Sequence, residues 1–104
     1  MITVVENYTS PTSWYRKWSN GLIEQGGVIM RSWGTDSSYV LTFPKAFEHY
    51  PLTIKVTFIA VPNSDSDGGE PGVKNGTLSN TGATILCDNY GTNKTGIYWE
   101  VKGF

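Results

Sequence analysis

The chain has 104 residues, which fits one domain spanning 1–104 whose single core buries roughly two-thirds of the unfolded surface. Aromatic residues make up 13% of the sequence and charged residues 16%, which excludes a disordered tail and a long solvent-facing helix. A formal net charge of −1 gives no basic footprint for duplex nucleic acid, and one cysteine, Cys87, excludes an internal disulfide or a cysteine-rich zinc site.

Strand patterning dominates from the start. Residues 2–6 form a first apolar strand. Residues 14–31 read as a hairpin, because Asn20-Gly21 is the favoured pair for a two-residue type I′ turn. That turn sets Trp18 opposite Ile23, Lys17 opposite Glu24 and Arg16 opposite Gln25. Gly26 then faces Tyr15 and Gly27 faces Trp14, where small residues either let rings lie over backbone or form a bulge. Residues 32–38 are a loop carrying Trp33. In the next strand Tyr39, Leu41 and Phe43 alternate with Val40 and Thr42. Residues 45–50 have room for one helical turn between Pro44 and Pro51. The clearest strand is 52–61, where Leu52, Ile54, Val56, Phe58 and Ala60 make one apolar face, with Pro51 and Pro62 as stops.

Residues 62–76 form a long polar loop rich in glycine and proline, of the kind that is functional or mobile. Ala83, Ile85 and Cys87 then share one strand face, and Cys87 reads as a small apolar residue. A loop at 88–96 carries Tyr90, and Ile97, Trp99 and Val101 form the inward face of a last strand. The sum is an all-β fold: a small antiparallel β-sandwich of about seven strands. No apolar run reaches the length of a membrane span, so no membrane insertion is expected. No basic-then-apolar leader follows Met1, so no secretion signal is read there.

Chemistry-bearing patterns are sparse. The lone His49 has no spaced triad partner, and no nucleophile elbow exists. Asp65-x-Asp67 opens like a calcium loop, but position twelve is Gly76, so no metal site, cofactor or catalytic residue is assigned. The surplus is aromatic. Trp14, Trp18 and Trp99 read as core or subunit interface. Trp33, Tyr50 and Tyr90 fall in turns or loops, and Asn63, Asp65, Asp67 and Asn89 are candidates for the polar part of a site with them. Rings with a few placed polar groups suit a glycan-binding site, while the same rings also serve to pin loops onto a sandwich.

Three blocks resemble the C-terminal domains of bacteriophage tail fibres. The first is WYRKWSNGLIEQGG at 14–27, an aromatic and basic strand followed by an Asn-Gly-Leu-Ile turn, Gln and Gly. The second is VLTFPKAF at 40–47, followed by Pro51 and the strand 52–57. The third is the ending IYWEVKGF at 97–104. Their order and spacing fit, and they frame nearly the whole chain. Residues 63–80 carry no such pattern, and Gly26 stands where many members have Trp. The resemblance implies a homotrimeric β-sandwich at the distal tip of a virion tail fibre, made in the host bacterial cytoplasm. Its implied activity is non-covalent binding to a bacterial cell-surface glycan or outer-membrane protein. The alternatives are a structural trimerisation cap, with the Trp-rich hairpin and the Ile59 and Val61 side of the strand 52–61 as interface, and a polysaccharide hydrolase, which lacks a fixed acid pair.

Overall fold

A computed structural model of the protein describes residues 1–30, 37–49, 51–60, 71–87 and 94–104. The described chain is built from eight strands: β1 (Val4–Thr9), β2 (Ser13–Trp18), β3 (Ile23–Met30), β4 (Ser37–Thr42), β5 (Pro51–Ala60), β6 (Pro71–Val73), β7 (Gly82–Cys87) and β8 (Lys94–Gly103). They form two antiparallel sheets, a five-stranded one in the order β1-β2-β3-β8-β5 and a three-stranded one in the order β4-β7-β6. The expected sandwich is therefore present, with eight strands rather than seven. The additional one, β6, lies inside the stretch read as a loop; three residues beginning Pro-Gly show no alternation from which a strand is legible.

The two-residue period places the core. Ile23 from β3, Ile97, Trp99 and Val101 from β8, and Leu41 and Ile85 from the second sheet close on one another with Phe43 and Phe47. Ile54 and Val56 of β5 pack against this cluster, while Thr53, Lys55 and Thr57 on the same strand face solvent. Val40 and Tyr98, each one residue away from core positions, are 75% and 58% exposed. Pro51 does not stop β5 but begins it, a position where the missing N–H removes no necessary ladder bond. The segment 43–49 is not a helical turn. Phe43 N–H donates to Thr81 C=O, Phe47 N–H to Asn80 C=O and His49 N–H to Phe104 C=O, so the chain crosses the end of the sandwich on isolated backbone bonds and on the Gln25 side chain, which bonds both backbone groups of Lys45.

The β2–β3 hairpin exists, but its register is one residue away from the expected one. Gly21 N–H donates to Trp18 C=O at 2.9 Å and Trp18 N–H to Leu22 C=O at 2.8 Å, so the loop is the three residues Ser19-Asn20-Gly21. Gly21 has φ +93°, the left-handed residue that closes a type I turn with a bulge. Asn20 Oδ1 accepts from Leu22 N–H at 3.1 Å and braces the turn. Lys17 consequently faces Ile23, Arg16 faces Glu24, and Trp14 faces Gly26. The slip matters because one residue of register exchanges the two faces of a strand. Trp14, Arg16 and Trp18 end on the outer face of the sheet, not over the core. A Cβ at Gly21 meets only Phe104 Cδ1 at 3.6 Å, so Gly21→Ala is expected to cost conformational energy alone, about 1–2 kcal/mol in urea unfolding. A loss below a few tenths would mean the loop adopts another turn.

β1 and β2 contribute no residue to the core cluster. They extend the five-stranded sheet to one side, and the described chain measures 47 × 29 × 18 Å. This flank leaves Val5 and Tyr8 60% and 45% exposed. It is tied back by one network on the inner face: Glu6 Oε1 accepts from Tyr15 O–H at 2.6 Å and from Lys45 Nζ at 3.0 Å.

Candidate functional site

All seven residues singled out from the sequence, Trp33, Tyr50, Asn63, Asp65, Asp67, Asn89 and Tyr90, lie outside the described residues. The strands that flank them are described. Met30 pairs with Gly96, and Ala60 with Lys94, at one end of the five-stranded sheet. Ser37 and Pro71 both pair with Cys87 at one end of the other sheet. The opposite ends meet where Phe47 packs on Gly103 and where Phe43 N–H reaches Thr81. The segments 31–36, 61–70 and 88–93 therefore all connect strand ends on a single side of the sandwich. They carry six of the seven residues. Tyr50 precedes Pro51, which pairs with Gly103 at the other end.

Among the described residues, the outer face of the five-stranded sheet carries the richest arrangement of rings and charges. Arg16 lies between two indoles, its Cζ 5.5 Å from the Trp14 ring centroid and 5.8 Å from that of Trp18. Its Nε donates to Glu24 Oε1 at 2.9 Å. Trp18 Nε1 donates to the same oxygen at 2.7 Å, and Lys102 Nζ stands 3.4 Å from the other. The Glu24 side chain is 13% exposed, so three donors hold a nearly covered carboxylate. The Trp14 ring lies over Gly26, where a Cβ would stand 3.1 Å from the indole and 2.7 Å from the Trp99 carbonyl oxygen. Rings over backbone is thus the arrangement that the glycine pair permits, at Gly26 opposite Trp14.

A groove of about 400 Å³ opens beside this ladder. One wall is the β1–β2 turn at 10–13, where Ser10 Oγ accepts from the N–H groups of Thr12 and Ser13 and fixes the loop shape. Thr12 C=O accepts from Val28 N–H, which draws the turn over β3. Trp14, Val28 and Tyr98 supply apolar surface, and Lys55, Thr57 and Glu100 supply polar groups. Lys55 and Glu100 are directly paired across β5 and β8. None of these residues is marked as a binding residue by a sequence motif. Their signal was the solvent-facing half of each alternation, in which Trp14 and Tyr98 are the rings.

The donors around Glu24 have a consequence for acid stability. The Trp18 indole N–H, and after it Arg16 and Lys102, hold its carboxyl below the ordinary glutamate value of 4.5, against the opposing effect of burial. Glu6 is lowered in the same direction by Tyr15 and Lys45. A carboxyl depressed in the folded state adds stability above its unfolded pKa and loses it as pH falls through the folded value. Stability is expected to fall below about pH 4.5, and Glu24→Gln to flatten part of that fall in thermal melts across pH 2.5–6. Superimposable acid limbs for the two proteins would refute the network.

Among the described residues no group of three or more His, Cys, Asp and Glu side chains is placed to hold a metal ion. His49 is exposed, and its described bond is the backbone one to Phe104.

No family model matches the chain, and no curated protein matches it. Solved structures do. The chain is similar over its whole length to an N-truncated R1-type pyocin tail fibre, with TM-score 0.71 and 22% identity, covering 86% of that chain. It is likewise similar to the C-terminal parts of the R1 and R2 pyocin fibres of P. aeruginosa, with TM-scores 0.73 and 0.68 and identities of 22% and 20%. It spans only 28% and 26% of those two chains. The resemblance to tail-fibre C-terminal domains thus extends from three sequence blocks to the complete antiparallel fold.

Proposed function

We propose that the chain is a distal domain of a phage- or pyocin-type tail fibre, carried in the virion or virion-like tail, and that it adheres to a bacterial surface glycan or outer-membrane protein. It acts by binding, and no bond is broken. The observation that carries this reading is the likeness to pyocin tail-fibre structures over the entire chain. The connections 31–36, 61–70 and 88–93, which join strand ends on one side, bear Trp33, Asn63, Asp65, Asp67, Asn89 and Tyr90. A rigid sandwich with variable connections gathered at one end is a common way to present a binding surface. Several copies on one fibre raise avidity through effective concentration, so a single weak site suffices. Fluorescently labelled protein is expected to decorate particular strains in a broad bacterial panel, and Trp33→Ala or Tyr90→Ala to reduce decoration without lowering the melting temperature. Labelled protein that decorates no strain would overturn the reading.

A second reading, that the domain caps and registers a fibre trimer, is favoured by the flank of β1 and β2. Tyr8, Trp14, Tyr15 and Trp18 lie there outside the core and only partly covered. Light scattering separates the two: a trimer that persists on dilution supports the cap, and a monomer at all concentrations excludes it.

A further inference from the structure

We propose that the outer-face groove between the 10–13 turn and strands β5 and β8 is a saccharide subsite for one pyranose unit. It deepens the glycan branch of the adhesion reading and rests on it.

Three observations carry the assignment. The first is chemical composition. Trp14 and Tyr98 offer ring surface to the apolar C–H face of a sugar, and Thr57, Lys55 and Glu100 offer both donors and acceptors for its hydroxyls. The second is order in the absence of ligand. The Trp14 ring is held over Gly26, with the Arg16 guanidinium 5.5 Å from its centroid, and Arg16 is itself tied to Glu24. A ring already fixed costs little further ordering when a ligand docks. The third separates a sugar from a second copy of this chain. The groove is concave, and its lining includes the cross-strand pair Lys55 and Glu100. Centres of protein–protein interfaces are depleted in Lys and Glu, whereas these groups are suitable partners for hydroxyls in a wet polyol site. A groove of about 400 Å³ lies at the lower end of small-ligand sites, the size range of one sugar ring with its linkages.

The test is a ¹⁵N NMR titration of the intact chain with methyl glycosides of glucose, galactose, mannose and N-acetylglucosamine, up to about 50 mM, above the roughly millimolar affinity of a one-ring site. At least one glycoside is expected to shift the amides of Thr57, Tyr98 and Glu100 saturably. Tyr98→Ala should weaken that binding about tenfold, and Tyr98→Phe should retain it. Tyr98 is largely exposed, so neither variant compromises the fold. Lys55→Ala should weaken it less, by about threefold, through a lost hydrogen bond. No saturable shift at these amides with any of the four, or shifts unchanged in Tyr98→Ala, overturns the subsite. A drop in molecular mass on Tyr98→Ala also overturns it, since the groove would then be a subunit contact. Cell decoration that survives Tyr98→Ala but is lost in Trp33→Ala sinks the subsite and leaves adhesion standing. If no strain is decorated, adhesion fails, and the titration still decides the groove.

Discussion

Gln25→Leu is expected to lower stability by about 2–4 kcal/mol, read as a shift in the urea midpoint at unchanged slope. Gln25 is fully buried, the one polar side chain at that level among the described residues. Its amide behaves as a one-residue strand partner: Nε2 donates to Lys45 C=O at 2.7 Å, and Oε1 accepts from Lys45 N–H at 2.9 Å. This pair clamps the 43–47 segment, whose Phe43 and Phe47 are 5% and 4% exposed, onto the inner face of β3. Leucine keeps the approximate volume but leaves a backbone donor and acceptor without partners, at about 1–3 kcal/mol each. The partial exposure of Lys45 lets water recover some of that. Gln25→Glu tests the same geometry with opposite pH dependence. One carboxyl oxygen accepts from Lys45 N–H, and the other must carry a proton to face the Lys45 carbonyl. The folded-state pKa of the new carboxyl is then raised, so the penalty of this variant relative to the parent is smallest below about pH 4 and grows as pH rises, opposite in sign to the contributions of Glu24 and Glu6. Equal stability of Gln25→Leu and the parent would show that the clamp contributes nothing.

The clamp also shows where reading the sequence stops. Ile23, Gln25 and Gly27 occupy alternate positions, so Gln25 was destined for one face with Ile23, but nothing local says which face is buried. That decision rests on the hairpin loop. Asn20-Gly21 was legible as a turn, yet the pair also fits a three-residue loop with Gly21 as the left-handed residue, and the choice inverts the faces of β2 against β3. With Ser19 included in the loop, Arg16 meets Glu24 and the indoles of Trp14 and Trp18 turn outward. The strands β4, β5, β7 and β8 carried no such ambiguity. Leu41, Ile54, Ile85 and Val101 each sit in a local alternation, and their faces are as the period requires. The groove was not legible, because its residues are far apart in sequence. Trp14 and Tyr98 come together only because β8 inserts between β3 and β5, and sheet order is a property of packing. The six end-connection residues are a different case. The registers explain why their segments start and finish on one side, and the sequence had already marked those segments by composition.

Trp99→Ala should cause the largest single loss, about 3–5 kcal/mol, against a total of about 5–15 kcal/mol for a domain of this size. Trp99 is 5% exposed and stacks on Phe43 at a centroid distance of 5.9 Å and an interplanar angle of 26°. Its Nε1 runs so close to Gly27 that a Cβ there would stand 2.9 Å away, and the same Cβ would collide with the Thr12 carbonyl. The indole is thus enclosed between β3 and the 43–47 crossing, and the walls, made of backbone and of Phe43, have little means of collapsing into the space it leaves. Tyr98, its neighbour, is a ring of comparable size on the opposite face, and Tyr98→Ala should stay within about 0.5 kcal/mol of the parent. Two adjacent aromatic truncations on one strand then differ by several kcal/mol for no reason except the side of the sheet. A strand shifted by one residue would exchange the two results, because the pleat reverses every side chain. Calorimetric melting of both variants therefore measures the register of β8 directly. That register positions Tyr98 beside Val28 and Glu100 beside Gly26, so a reversed outcome would dismantle the groove along with the core assignment.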